Sequence, residues 1–303
     1  MGSEVQKTVE IRRLADCTFR QAVELWNLGF SGYYSDMSTT IEKFVPRLGR
    51  ESIRPDLSVA AFVDSEPAGF VLVAKKTVDS VDIAWNGGTG VSPNHRGKGI
   101  AKLLMREAVD AMRESGAAMG LLEVVQKNAG AIAAYESSGF QICDGLIGAK
   151  RTGPLTGAVP SEAALSAEGY RIGQAKPHQL PKLSFFRHET AWSAAWYNQR
   201  EADGIVVFDK EGAVGAYALV RKSYGDNGKL TGVTLYQCAA DRSRSDAKAL
   251  LHAALAAAFG PFGDDCARVT DNLSMSDPAL TEWLEAAGFQ TLYTQYLMTL
   301  QLR

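Results

Sequence analysis

The residues best suited to chemistry fall in one stretch, Val91 to Leu104, which reads VSPNHRGKGIAKLL. Pro93 and Asn94 make a turn after an apolar run. Ile100, Leu103, Leu104, Ala108, Ala111 and Met112 then recur at helical spacing, and Gly116 closes the segment. Glycines at 97 and 99 that lead into a helix make an anion site. The first helical N–H groups have no intrahelical acceptor, and the helix dipole favours negative charge. Arg96 and Lys98 add formal positive charge. A phosphate or pyrophosphate is the expected ligand; a basic glycine turn with no ligand is the plainer reading. The Gly-Lys-Ser/Thr of a P-loop and the dinucleotide glycine fingerprint are both absent.

Downstream, Leu121 to Phe140 reads LLEVVQKNAGAIAAYESSGF, a strand and then a helix closed by Gly139. On its own, Asn128 is a helix N-cap and Tyr135 a core aromatic. The order of the two segments carries more. Arg96-x-x-Gly99-x-Ala101 resembles the pyrophosphate motif of the GNAT superfamily of acetyl-CoA-dependent acyltransferases: Gln or Arg, two residues, Gly, one residue, Gly or Ala. Asn128, Ala131, Tyr135 and Gly139-Phe140 resemble that family's next strand and helix. The resemblance covers about residues 8–150. Ala84 to Val91, AWNGGTGV, is similar to a subset of bacterial tandem GNAT proteins.

The resemblance implies roles for particular residues. A β-bulge near Gly90 and Val91 would splay the central strands and admit the pantetheine arm of acetyl-CoA. A backbone N–H near Val91 would polarise the thioester carbonyl. Backbone N–H groups of Arg96, Gly97, Lys98, Gly99, Ile100 and Ala101 would hold the pyrophosphate. Asn128 would bond the pantetheine amides, and Tyr135 would protonate the leaving thiolate. The base that takes the amine proton is less apparent. Asp82 is the candidate on the central strand, although it lies nine residues before Val91 and a surface charge is the plainer reading. Glu123 sits where the family often has an acid. Tyr33 and Tyr34, after Gly32, are candidates for the wall of the acceptor pocket, whereas Trp26 and Phe30, four apart, suit a core.

These residues need elements to place them. Strands are expected at Thr8–Arg13, Leu57–Val63, Ala68–Lys76, Asp79–Val91, Ala118–Val125 and Phe140–Leu146. Helices are expected at Phe19–Gly29, Ile41–Leu48, Ile100–Ser115 and Ala129–Ser138. Consecutive antiparallel strands come first, so the class is α/β in the α+β sense, not doubly wound. The second half repeats the plan. Phe62–Lys76 and Val207–Lys222 both read as a hairpin on an Asp, and YESSGF and LEAAGF both close a helix. Asp64 to Gly139 is 75 positions and Asp209 to Gly288 is 79. Two tandem GNAT-like domains are therefore expected, each a mixed, mostly antiparallel sheet flanked by helices. Residues 1–150 would be the catalytic domain, 151–168 a linker and 169–303 a degenerate copy. Its loop, AADRSRSDAKALL, places Asp246 opposite Gly99, and Leu284 falls opposite Tyr135. The copy is expected not to bind CoA.

With 303 residues, a net charge of −2 and 46% hydrophobic residues, the chain is expected to be globular, with no general attraction to nucleic acid or anionic membrane. No run of about 18 uncharged apolar residues suggests a membrane helix. The opening residues lack the apolar region of a secretory leader. Four scattered cysteines and four histidines carry no metal signature. The expectation is a cytoplasmic acetyltransferase, monomeric or homodimeric, that uses acetyl-CoA and no metal and acts on a small-molecule or peptide amine. The alternatives are a CoA-binding sensor without turnover and an unrelated nucleotide-binding domain.

Overall fold

The computed structural model describes residues 8–155 and 169–303, so most of the expected linker lies outside the described residues. The chain forms two compact units that are not collinear with the sequence. One gathers the residues up to Ile142 with Met298–Arg303; the other is Cys143–Leu297. The expected boundary at 150 falls inside a strand of the second unit, and the last six residues serve the first. The reason is hydrogen bonding: a sheet edge is closed by whichever strand satisfies its N–H and C=O groups.

In the first unit, β1 (Val9–Arg13), β2 (Val59–Val63), β3 (Glu66–Val78), β4 (Val81–Val91) and β5 (Met119–Val125) lie side by side in that order. Leu302 N–H donates to Ala118 O at 2.9 Å, so the C-terminal residues run beside the start of β5. Two-residue turns link β2 to β3 and β3 to β4. Asp64, Ser65, Asp79 and Ser80 all have positive φ there, the conformation that matches strand twist. Helix α1 (Phe19–Gly29) starts on a capping box between Thr18 and Gln21. Helices α2 (Ile41–Arg50), α3 (Ile100–Glu114) and α4 (Ala129–Ser137) follow. A Cβ on Gly90 would meet Gly29 of α1, whereas one on Gly69 would meet Leu104 of α3. Since neighbouring pairs Phe70↔Gly90 and Gly69↔Val91 point to opposite faces, α1 and α3 cover opposite faces of the sheet.

Two features open this sheet. Leu72 pairs with Gly88 and Val73 with Asn86, so Gly87 is an extra residue, a β-bulge. Asn86 is 5% exposed and its Oδ1 accepts the Gly88 N–H at 3.0 Å, which fixes the bulge. The parallel pairing of β4 with β5 is confined to Ile83–Asn86 against Met119–Leu122. Beyond it the strands part. The bulge lies at Gly87, three to four residues earlier than the resemblance implies.

The second unit holds β6 (Gln141–Thr152) from Cys143 on, then β7 (Arg171–Ala175), β8 (Asp203–Phe208), β9 (Val214–Tyr224) and β10 (Leu230–Ala240). Helix α5 (Ala247–Phe259), β11 (Ala267–Thr270), β12 (Leu273–Ser274), α6 (Pro278–Ala286) and β13 (Gln290–Gln301) complete it, β13 up to Leu297. The device recurs. Leu235 pairs with Val220 and Gln237 with Leu219, so Tyr236 is the extra residue, and β10 pairs with β11 only over Gly232–Leu235. Among the described residues no α-helix lies between β7 and β8. A 3-10 turn, Pro177–Lys182, stands where the first unit has α1 and α2.

Gly90→Ala should lower stability by about 1–3 kcal/mol in denaturant unfolding, because its Cβ would lie 2.6 Å from the Phe70 ring and 2.8 Å from the Gly29 backbone. Gly97→Ala meets nothing within 4 Å and should cost only about 1 kcal/mol, from φ of +73°.

Candidate active site

The parted strands leave a bare edge. Ser92 N–H donates to Ala68 O at 2.8 Å, which marks that pair as hydrogen-bonded. Antiparallel pairs alternate, so the backbone groups of Thr89 and Val91 face away from β3, toward the gap. The N–H groups of both have no backbone acceptor among the described residues. An extended ligand can pair there as an added strand.

The bare edge leads to the glycine turn. Gly97 and Gly99 have φ of +73° and +79°, and no neighbour lies within 4 Å of a Cβ on either. Backbone conformation, not crowding, demands these glycines. The N–H groups from Gly97 to Lys102 have no backbone acceptor among the described residues, and Leu103 N–H is the first to bond back, to Gly99 O. Lys98 Nζ is exposed and donates to Asn94 O. Arg96 differs from the expectation. Its guanidinium donates to Val91 O at 2.9 Å, Ser31 O at 2.7 Å and Gly29 O at 3.4 Å. It clamps the end of α1 to the end of β4; its contribution to an anion is the turn it braces. A groove of about 390 Å³ begins at Gly99 and runs along α3 past Lys102 and Arg106 to Ser137 and Ser138 at the end of α4. Lys102 and Arg106, four apart on α3, escaped the sequence reading. Their spacing alone looks like a solvated helix face.

Across the gap, Asn128 caps α4 by accepting Ala131 N–H at 3.2 Å. It also bonds Tyr33. Tyr135 is 7% exposed, with the Thr89 side chain beside its hydroxyl. Burial pushes its hydroxyl up to about 12, and the nearby Thr89 pulls only partly against that. Burial also raises Tyr33, with Tyr34 adding to it and the Asn128 bond opposing. Tyr34 is exposed and donates to Lys127 O at 3.3 Å. Trp26 and Asn27 pin the intervening loop: Trp26 Nε1 donates to Met37 O at 2.5 Å, and Thr39 N–H donates to Asn27 Oδ1 at 2.8 Å. Trp26, Phe30 and Phe70 pack together with ring centroids 4.4–5.7 Å apart. Tyr33, Tyr34, Asn128 and Tyr135 thus belong to one neighbourhood.

Asp82 does not join them. It lies nine positions before Val91 along β4, about 30 Å at strand rise. Its carboxylate pairs with Lys75 at 2.7 Å and accepts from Thr77. The bonds from Lys75 and Thr77 hold it below the usual carboxylate range. Glu123 is far closer to the gap, one residue past the last paired position of β5. Trp85 Nε1 donates to its Oε2 at 2.7 Å, and the carboxylate is part-buried. A Cβ on Gly87 would strike the Trp85 ring at 2.7 Å, so the bulge glycine makes room for the indole that aims Glu123. Among the described residues no group of three His, Cys, Asp or Glu stands close enough to hold a metal.

The second unit keeps the parted strands and loses the turn. Arg244 Nε and Nη2 bond Asp246 at 2.9 and 3.1 Å, and Nη2 lies 2.8 Å from Asp209. Asp246 therefore faces its own arginine. Leu284, buried at 3%, stands where the first unit has Tyr135.

A bare strand edge that ends on unpaired N–H groups at a helix start is shaped for an extended ligand with an anionic tail. Residues 19–140 match the model of the Acetyltransferase (GNAT) family. A streptothricin acetyltransferase of Streptomyces lavendulae is 41% identical over 91 residues, 28% of this chain; the match spans 44% of that relative's length. A GCN5-related N-acetyltransferase from Sphaerobacter thermophilus has a similar fold over 100% of this chain and 98% of its own, at 14% identity and TM-score 0.58. A tandem GNAT protein from the clavulanic acid biosynthesis pathway is similar over 98% of this chain and 99% of its own, at 16% identity and TM-score 0.53. No helix among the described residues is long and apolar enough to cross a membrane.

Gly99→Asp should abolish acetyl-CoA binding in calorimetric titration, whereas Asp82→Asn should bind as the parent does. Reversing both charges on the groove, Lys102→Glu with Arg106→Glu, should weaken binding about tenfold at low salt and less at high salt.

Proposed function

We propose that the first unit moves an acetyl group from acetyl-CoA to a primary amine of a small molecule or peptide, and that the second unit does not bind CoA. The observation that carries this is the continuous path from the bare edge at Thr89 and Val91 to the unpaired N–H groups at Gly97–Lys102. Pantetheine amides would pair with the edge, and the pyrophosphate would take the turn. The family match of residues 19–140 supplies the class of reaction. The locked Arg244–Asp246 pair supports silence in the second unit.

Chemically, an ammonium acceptor first gives one proton to a base. The nitrogen lone pair attacks the thioester carbonyl, whose developing oxyanion is met by the Val91 N–H. The C–S bond breaks, the thiolate gains a proton, and nitrogen loses its second. Glu123 is the base we favour: a carboxylate aimed by Trp85 on the strand that flanks the gap. Tyr135 stays protonated at every working pH, since burial holds it near 12. A thiol titrates near 8.5, so free proton transfer from such a phenol would be uphill by about 5 kcal/mol. Tyr135 therefore acts by donating to the sulfur as the C–S bond breaks, with proton replacement from the departing N–H.

The test is thiol release from acetyl-CoA with a panel of amines, streptothricin first because the 41% identical relative is named for it. Transfer by the intact protein, with one acetyl-CoA per chain, is the expected result; two sites per chain, or binding without transfer to any amine, would overturn it. Tyr135→Phe should lower kcat by about 10²-fold. Because Tyr135 loses its proton only near 12, kcat/KM should show no falling limb from it below pH 10. Glu123→Gln should lose about 10²–10³-fold at pH 7 and recover as rising pH deprotonates the amine itself.

A further inference from the structure

The second unit keeps a vacant strand edge of its own, and that edge lines a cavity. Asp241 N–H donates to Gly215 O at 2.9 Å, which fixes the hydrogen-bonding phase of β9 with β10. By the same alternation, the backbone groups of Cys238 and Ala240 face away from β9. Pairing with β11 has ended at Leu235, so nothing on that side receives them. The N–H groups of Cys238 and Ala240 have no backbone acceptor among the described residues, although the two residues are only 5% and 6% exposed. Buried backbone groups are almost always paired, so this edge needs a partner. It borders a cavity of about 320 Å³ whose lining also includes Phe185, Leu280, the cations Arg187 and Arg242, and the carboxylates Asp241 and Asp277.

The charges at this cavity are organised. Arg187 and Arg242 converge on Ser276, Arg187 through its hydroxyl and Arg242 through its carbonyl at 2.7 Å. Arg187 is held by Asp144 at 2.7 Å, and Asp144 also accepts from Ser274 at 2.5 Å. Arg242 has a longer partner, Asp277 at 3.5 Å, and is 57% exposed at its side chain. Of the two cations it is the one an incoming anion can reach. An intact nucleotide is excluded, since the turn that would take its pyrophosphate is filled by Arg244 locked between Asp246 and Asp209.

The geometry points to a second ligand site in this cavity, for a short extended chain that carries secondary amides and ends in an anion. Its amides add to the edge at Cys238 and Ala240, and its anionic end meets Arg242. Apolar walls from Phe185 and Leu280 suit the aliphatic part of such a chain. A peptide C-terminus and a phosphorylated pantetheine share this chemistry; CoA itself does not fit.

Calorimetric titration of the full-length protein with N-acetyl-glycyl-alanine and with pantetheine 4′-phosphate separates the two sources. One probe, at least, should bind with one site that survives Gly99→Asp, is lost in Ala240→Pro, and weakens about tenfold in Arg242→Ala. The last variant removes an exposed side chain and keeps the fold even if the proline does not. Binding of the dipeptide alone assigns a peptide end, and binding of the phosphate alone assigns the pantetheine. Failure of both probes overturns the site. So does binding that Gly99→Asp abolishes, which belongs to the first unit, or an Arg242→Ala affinity equal to the parent's. Because the site does not depend on acetyl transfer, these outcomes are independent of whether any amine is acetylated.

Discussion

The structure turns on a parting of two parallel strands. Over four residues β4 and β5 share a ladder; at Gly87 an extra residue enters and the ladder ends. A bulge increases local twist and bends the strand that carries it. From that bend follow the bare edge at Thr89 and Val91, the room for the Trp85 indole, and the direction in which β4 delivers the chain to the glycine turn. Asn86 supplies the hydrogen bond that the bulge would otherwise leave unmade, which is why a polar side chain is buried there. The Arg96 clamp completes the arrangement. By bonding three carbonyls it ties the end of α1 and the start of the loop after it to the end of β4.

Much of this frame is legible in the sequence because its causes are local. Helix α1 runs from Phe19 to Gly29 as expected, since Thr18 and Gln21 fix its start within four residues. The turns at Asp64 and Asp79, the helix from Ile100 and the cap at Asn128 rest on equally short-range chemistry. The gathering of Tyr33 with Asn128 is another matter. Nothing near either residue signals the other, because the contact joins a loop after α1 to the start of α4. The sequence shows the charge of Arg96, but a guanidinium finds its partners in three dimensions, and here those partners are carbonyls from α1, the loop after it and β4. Strand alternation puts Asp82 on the right strand without revealing its distance from the gap or its Lys75 partner. The closing strands depart from a collinear order for the same reason. Gln141–Thr152 has the pattern of a strand, and a pattern does not state which sheet it will join.

A comparison of the two units separates what the backbone preserves from what side chains lose. The bulge at Tyr236 and the four-residue ladder of β10 with β11 reproduce those at Gly87, although the residue at the bulge changes from glycine to tyrosine. The glycine turn has vanished, replaced by an arginine held between two carboxylates. Such a difference has a physical basis. The bulge is built into the register of a sheet, so removing it would shift every later residue of the strand to the opposite face. The turn lies outside the sheet, where side chains can change without moving the core.

The same reasoning explains why the second unit has a cleft without a glycine turn. Closing it would require β10 and β11 to pair through to Ala240, which would remove the bulge and repack Tyr217 and Gln237, now joined by a hydrogen bond within the core. Filling it by side chains alone leaves the edge at Cys238 and Ala240 unpaired, because alanine and cysteine side chains cannot reach back to bond a backbone N–H. The fold thus has, as a consequence of its own register, an unpaired strand edge beside a pair of guanidiniums.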